Sequence, residues 1–208
     1  GHGDAAAAVL DLLSEHAELR DGLVAVGHRV VHGGEDFHAP TPIDADVRER
    51  IAALSHLAPL HNPPALAAID AARAAIDLPN IAVFDTAFFA PLEPAAYLYA
   101  LPWEWYEKYG VRRYGFHGTS HANAVERCHE ILKAQQLRVV CCHLGSGCSA
   151  AAAIGNKAVA TTMGFTPLEG LMMGTRPGSI DPGILLHVAR VGKLDTDAID
   201  KALNRADR

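Results

Sequence analysis

Eight consecutive residues, Tyr114-Gly115-Phe116-His117-Gly118-Thr119-Ser120-His121, hold two histidines, two glycines and two aliphatic hydroxyls. The segment has many donors to bury and little apolar surface to anchor it, so it reads as a loop that presents chemistry rather than as a core element. An imidazole near neutral pH donates to an anionic oxygen in either protonation state. Similar clusters lie on both sides: His28-Arg29-Val30-Val31-His32-Gly33-Gly34, Ala58-Pro59-Leu60-His61-Asn62-Pro63, Phe84-Asp85-Thr86-Ala87-Phe88, His143-Leu144-Gly145-Ser146-Gly147, and Gly174-Thr175-Arg176-Pro177-Gly178-Ser179-Ile180-Asp181-Pro182.

Each reactive residue has a functional and a plain reading. Asp85 follows Ile81-Ala82-Val83-Phe84 directly. A carboxylate there orients an attacking group or holds a metal, and the local alternative is a helix N-cap. Arg29 sits inside an apolar run, where an unpaired guanidinium is costly, so it needs a structural carboxylate or an anionic substrate. Arg176 lies in a Gly/Pro-rich loop that brings it close to a ligand. The planar arginine fork matches carboxylate and phosphate, and two forks on a transferring phosphoryl group neutralise its equatorial oxygens. The alternative for each arginine is a structural salt bridge. Cys141, Cys142, His143 and Cys148 fit no common zinc spacing. Gly118-Thr119-Ser120-His121-Ala122 lacks the last glycine of a nucleophile elbow. No Walker A loop or dinucleotide fingerprint is present.

These residues need an α/β framework. Leu23 to Val31, Asn80 to Phe84 and Leu137 to Leu144 read as strands, and Ser149 to Ile154 with Lys157 to Thr162 as a hairpin across Gly155-Asn156. Helices are expected over Ala5 to Glu18, Asp44 to Leu57, Pro63 to Ile76, Pro102 to Tyr109, Ser120 to Ala134, Asp181 to Arg190 and Asp195 to Leu203. Asp44 serves as an N-cap and Pro63-Pro64 as a first turn. The reactive residues recur where strands stop, the edge at which open α/β sheets bind ligands. The 208 residues allow one large or two small cores, with half of the residues hydrophobic and a net charge of -6. Scattered Lys and Arg argue against a nucleic-acid surface, and no apolar run is long enough to span a membrane. Cys128, Cys141, Cys142 and Cys148 read as reduced, buried thiols of a cytoplasmic protein.

The six clusters occur in the order and rough spacing of acetate kinases, and from about Gly22 to about Ile199 the chain resembles that family. The resemblance implies an actin-like, ribonuclease H-like two-domain α/β kinase fold, incomplete here, with residues 1–86 in the first domain and 87–208 in the second. It implies reversible, Mg2+-dependent phosphoryl transfer from ATP to acetate, giving acetyl phosphate and ADP, by a cytoplasmic homodimer. Asp85, His117 and Arg176 are the implied catalytic residues, with Asp85 also the one possible metal ligand in this span. Arg29, Val31, Leu60, His61, Phe116 and Pro167 are the implied substrate residues, four of them forming a small apolar pocket. His143, Leu144, Gly145, Ser146 and Gly147 are implied to approach nucleotide phosphates. His121, His28 and His32 are read as structural.

The chain departs from the family pattern at Ser146, in place of Asn, at Pro177 and Ser179, in place of Ser and Asp, and at Phe89, in place of His. The resemblance also implies a phosphate loop before Gly22, and adenosine-binding glycines with an acidic metal ligand after Arg208. Without them the first sheet is expected to keep an unpaired edge. The alternatives are an inactive relative, or a kinase for propionate or another short acid.

Overall fold

Val30 and Phe84 end two apolar runs and lie opposite each other in a parallel pair, β1 (Val26–Val30) and β3 (Asn80–Phe84). The computed structural model describes residues 8, 12, 15, 16 and 21–205. The helix expected over Ala5 to Glu18 lies mostly outside the described residues. The chain divides into two compact units, residues 1–90 and 91–208.

In the first unit β2 (Thr41–Pro42) pairs antiparallel with β3, giving the order β1-β3-β2. Two parallel strands need a long crossover. It is made by α1 (Ala45–Ala53), a 3-10 turn over Leu54–His56 and α2 (Asn62–Ala75). Asp44 caps α1 by accepting from Val47 N at 2.8 Å, and prolines open α2. One apolar stripe of each helix packs on the sheet, with Val47, Ile51, Leu66 and Ile69 around Val30 and Phe84. Phe37 stacks on Phe84 with ring centroids 4.5 Å apart.

The loop after β1 is locked by buried polar pairs. His32 N donates to Asn62 Oδ1 and Asn62 Nδ2 returns a bond to His32 O, at 3.2 and 3.1 Å. Gly34 N donates to His32 Nδ1, and Gly33 N donates to Thr86 Oγ1, each at 3.0 Å. A Cβ on Gly33 would stand 3.0 Å from the Phe84 ring, so the backbone there is as close as glycine allows.

The second unit holds an antiparallel sheet of β4 (Arg138–Leu144), β5 (Cys148–Ile154) and β6 (Lys157–Thr161), in that order. Gly155, at φ +56°, makes the expected turn between β5 and β6. Helices α3 (Pro94–Tyr97), α4 (Trp103–Tyr109), α5 (Gly118–Leu132), α6 (Pro182–Val191) and α7 (Thr196–Arg205) complete it. Asp181 caps α6 through Gly183 N at 2.8 Å.

One sheet face is buried through small residues, Ser149, Ala151, Ala153 and Ala158, and α5 packs against β4. The alternation of a strand turns Val140 and Leu144 the other way, where they are 75% and 74% exposed. This corrects the reading of buried thiols. All four cysteines are free, but Cys142 is exposed on that outer face and the other three are only half-buried. No helix among the described residues is long and apolar enough to cross a membrane.

Burial of His32, with His56 nearby as the smaller cause, lowers its pKa from 6.5 to about 4. The folded state therefore binds its proton more weakly than the unfolded one. The contribution, up to about 3 kcal/mol, is full above pH 6.5 and is lost as pH falls toward 4. The urea midpoint of the chain should fall across that window. His32→Asn should be less stable at pH 7 and should show a shallower pH slope. Equal slopes for the two proteins would refute His32 as a source of the effect.

Candidate functional site

Parallel pairing of β1 with β3 puts their carboxyl ends side by side, so the residues that follow each strand share one edge. Asp85 N donates to Val30 O at 3.0 Å, which holds Asp85 at the end of β1. Its carboxylate is 2% exposed, and both oxygens accept from Arg29, Nε to Oδ1 at 3.0 Å and Nη2 to Oδ2 at 2.6 Å. Each oxygen of the buried anion thereby accepts one bond from a bidentate cation. The bond to Asp85 raises the Arg29 pKa further, against the opposing effect of partial burial. The local N-cap reading of Asp85 fails, since Thr86 holds the N-cap position of the 3-10 turn at Ala87–Phe89 and the Asp85 carboxylate pairs with Arg29 instead. The placement of Arg29 in a buried run is also corrected. The residue lies on the outer side of β1, and its side chain is 63% exposed.

Of the other candidates in this unit, Val31 is buried at the carboxyl end of β1 and Leu60 is 48% exposed. His61 is exposed at the N-cap position of α2, where its side chain makes no capping bond. His28 Nε2 donates to Asn80 Oδ1 at 2.6 Å.

In the second unit the Tyr114–His121 segment is not the external loop expected. Gly118 to His121 form the first turn of α5, and Tyr114, Phe116 and His121 are buried. The donors are buried because they pair with one another. His117 Nδ1 lies 2.9 Å from Ser149 Oγ, and His121 Nε2 lies 2.8 Å from the same oxygen. Burial, with the nearby His143 as the smaller cause, lowers the His121 pKa from 6.5 to about 4. His117 opens α5 at φ +61°, a left-handed conformation that costs a non-glycine residue about 1 kcal/mol or more. Its ring stacks on that of His143, with centroids 4.1 Å apart, and His143 Nδ1 lies 2.9 Å from Ser120 Oγ.

Gly147 is where these groups meet Arg176. A Cβ on Gly147 would stand 2.7 Å from Arg176 Nη2 and 3.1 Å from His117 Cε1 and Nε2. Arg176 Nη1 donates to Pro167 O at 2.8 Å, and partial burial lowers its pKa. The guanidinium stays charged at any working pH. The reading of residues 143–147 as one loop is corrected: His143 and Leu144 belong to β4, and only Gly145, Ser146 and Gly147 turn the chain into β5. Gly145 N donates to Gly147 O at 3.1 Å, which closes this turn, and Ser146 is exposed at its tip. Phe116 is buried, and Pro167 is half-buried beside Arg176.

Sequence reasoning missed two sets of supports. Arg113 Nη2 donates to Glu169 Oε1 at 2.7 Å, and Nη1 donates to Met163 O at 2.8 Å. Tyr99 OH also donates to Glu169 and accepts from Phe165 N. This cluster fixes the stretch that carries Pro167. The available signal was two adjacent arginines, Arg112 and Arg113, immediately before the histidine segment. Ser149 was missed because it is one small polar residue in an alanine-rich strand.

Among the described residues, no group of three or more His, Cys, Asp or Glu converges to hold a metal ion. Asp85 is a lone carboxylate already engaged by Arg29. A carboxylate keeps further lone pairs beyond the two that Arg29 engages, so Asp85 could still serve as a single ligand to a hard cation otherwise coordinated by a substrate's oxygens.

Residues 1–207 match the acetokinase family. An acetate kinase from Clostridioides difficile is 50% identical over 212 residues, covering 98% of this chain and 53% of that protein. One from Gloeobacter violaceus is 53% identical over 185 residues, covering 87% and 45%. The solved propionate kinase of Francisella tularensis superposes with a TM-score of 0.93 at 41% identity, covering 98% of this chain and 53% of its own. Porphyromonas gingivalis acetate kinase gives 0.90 at 39% identity, covering 99% and 53%. This chain thus spans about half the length of the curated relatives it matches. The fold is the actin-like α/β kinase fold that the sequence predicted, and the chain belongs to the acetokinase family.

Proposed function

We propose that this chain serves a magnesium-dependent acetate kinase, which moves the γ-phosphoryl group of ATP to acetate and releases acetyl phosphate and ADP, reversibly. The convergence of Arg176 and His117 on the bare backbone of Gly147 is the observation that carries this reading. A transferring phosphoryl group spreads negative charge over three equatorial oxygens, and catalysis is mostly positioning and charge stabilisation. Arg176 supplies fixed positive charge, and His117 supplies a donor from Nε2. Glycines at 145 and 147 keep side chains away from where nucleotide phosphates lie.

The first unit supplies Asp85, Arg29 and His61 in this reading. The Arg29 fork takes the carboxylate of acetate or a phosphoryl oxygen, and Asp85 orients it. Asp85 would hold a magnesium ion together with the nucleotide phosphates, and the ion would supply neutralisation of phosphate charge. For the methyl group, Val31 and Leu60 are the apolar candidates in the first unit, and Phe116 and Pro167 are those in the second. Residues 1–86 are assigned to the first kinase domain and residues 87–208 to the second. We assign the protein to the cytoplasm as a homodimer.

A second reading, propionate as substrate, is favoured by the likeness to the Francisella tularensis propionate kinase. An apolar pocket separates substrates differing by one methylene by only about 1–3 kcal/mol.

Three results test these roles in the intact protein. Arg176→Ala should lower kcat for acetyl phosphate formation about 100- to 1000-fold, with KM for ATP little changed. An unchanged kcat would remove Arg176 from the chemistry. Gly147→Ala should lower kcat at least about tenfold while leaving the thermal midpoint within a few degrees, since the added methyl strikes Arg176 rather than the core. Relative kcat/KM for acetate and propionate should differ by about 10- to 200-fold at most, and butyrate should be worse than both. Equal values for all three acids would exclude a methyl-sized pocket.

A further inference from the structure

The hydroxyl of Ser149 is fully buried and stands between two imidazoles, 2.9 Å from His117 Nδ1 and 2.8 Å from His121 Nε2. A hydroxyl has one proton. It donates to one ring nitrogen and accepts from the other. The two histidines are therefore ordered in series, and the proton position on one dictates the tautomer of the other. His121 is buried and held neutral at working pH, so its ring carries one proton to place.

Two orderings are available. In the first, His121 Nε2–H donates to Ser149, and Ser149 O–H donates to His117 Nδ1. The proton of a neutral His117 then sits on Nε2. In the second, His117 Nδ1–H donates to Ser149, and Nε2 of a neutral ring is left as a bare lone pair. The far edge of the His117 ring, Cε1 and Nε2, is the edge that meets Arg176 at Gly147. A lone pair aimed at an anion beside a fixed guanidinium repels it, whereas an N–H binds it.

We infer that Ser149 is a positioning residue that fixes His117 as the Nε2–H tautomer, through a one-way relay from His121 Nε2–H to the Ser149 hydroxyl to His117 Nδ1. The relay lets His117 donate to the phosphoryl group without first taking up a proton. Ser149 sets the proton and not the rotamer. The plane of the ring is already fixed by stacking on His143, which is in turn held by Ser120, and by the left-handed backbone at His117. Ser149 is brought to this place by the strand register, in which it lies directly opposite His143 in the β4–β5 pair. The choice of this ordering rests on the kinase reading above, which puts an anion at the far edge of His117, while the tautomer itself is measured without turnover.

Two-bond proton–nitrogen correlation spectra of 15N-histidine-labelled protein, without substrate at neutral pH, read the tautomers directly. The expected result is His117 and His121 both protonated at Nε2, with Nδ1 of His117 bare. A His117 found as the Nδ1–H tautomer, or doubly protonated, overturns the inference, and this needs no variant to fold. Ser149→Ala should convert His117 to a mixture of tautomers while the amide spectrum of β4 and β5 is retained. An unchanged His117 signal in a folded Ser149→Ala protein also overturns it. In turnover, Ser149→Ala should lower kcat about 10- to 100-fold with KM for ATP little changed, and Ser149→Thr should recover most of the loss. Adding His117→Ala to Ser149→Ala should cost little more than His117→Ala alone, and additive losses count against the relay. Nε2–H on His117 in a protein with no kinase activity would refute the kinase reading and leave the relay standing. Activity with the opposite tautomer would do the reverse.

Discussion

Parallel pairing of β1 with β3 is the constraint on which the first unit depends. Parallel strands cannot be joined by a tight turn, so the chain between them builds α1 and α2, and these helices supply most of the apolar core. The same pairing aligns two carboxyl ends and delivers Asp85 to the edge occupied by Val31 and His32. A carboxylate buried there needs a compensating cation, because an unpaired buried charge is expensive. Arg29 provides it from the outer side of β1 while remaining largely in solvent. The pair is asymmetric: the anion is buried, and the cation is accessible to a competing anion. An anion approaching the exposed side of Arg29 would meet a fork that is already aligned rather than one that must be ordered on binding.

The second unit reaches a similar end by antiparallel pairing and small residues. Serine and alanines on the inner face of β5 and β6 leave room for α5 to approach the sheet. That approach places His117 and His121, one turn apart at the start of α5, on either side of the Ser149 hydroxyl. Gly147 then leaves an opening between His117 and Arg176 that any side chain would fill. The site is built as much from missing atoms as from donors, and both side chains that face the opening have a partner behind them. Pro167 O holds Arg176, Ser149 adjoins His117, and Ser120 adjoins His143.

Local rules made much of this legible. Asp44 caps as its type and position require, prolines open α2, and Gly155-Asn156 turns β5 into β6. These features depend on neighbours in sequence. Failures occurred where burial is decided by distant partners. The histidine segment has too many donors to bury alone, yet it is buried because Ser149, some thirty residues away, lies between two of them. Arg29 looks interior in a run of apolar residues, but strand alternation puts it outside. The cysteines near β4 were read as core because the run is apolar, whereas only one face of that strand is covered. The Arg113–Glu169–Tyr99 cluster joins three segments that nothing in the local pattern connects.

The departures around Arg176 bear on whether its loop still holds the guanidinium in place. Pro177 lacks an N–H, and Ser179 is shorter and uncharged beside the Asp of the family pattern. The loop is nevertheless closed by bonds that need neither lost group. Met173 N donates to Arg176 O at 2.9 Å, which ties the arginine's own carbonyl. Gly170 N donates to Ser179 Oγ at 3.1 Å, and Ser179 N donates to Gly170 O at 2.9 Å, so the serine closes a two-point clasp with side chain and backbone together. Between them Gly178 adopts φ +76°, and a Cβ there would stand 2.5 Å from Gly170 O, which makes glycine obligatory. A carboxylate at 179 would accept the same bond from Gly170 but would also add a negative charge to the loop that carries Arg176. With serine the clasp is kept, and no second anion is placed there to compete for the guanidinium. The substitutions change the charge around the arginine without releasing it, so the loss of the family residues at 177 and 179 is not in itself an argument for a dead site.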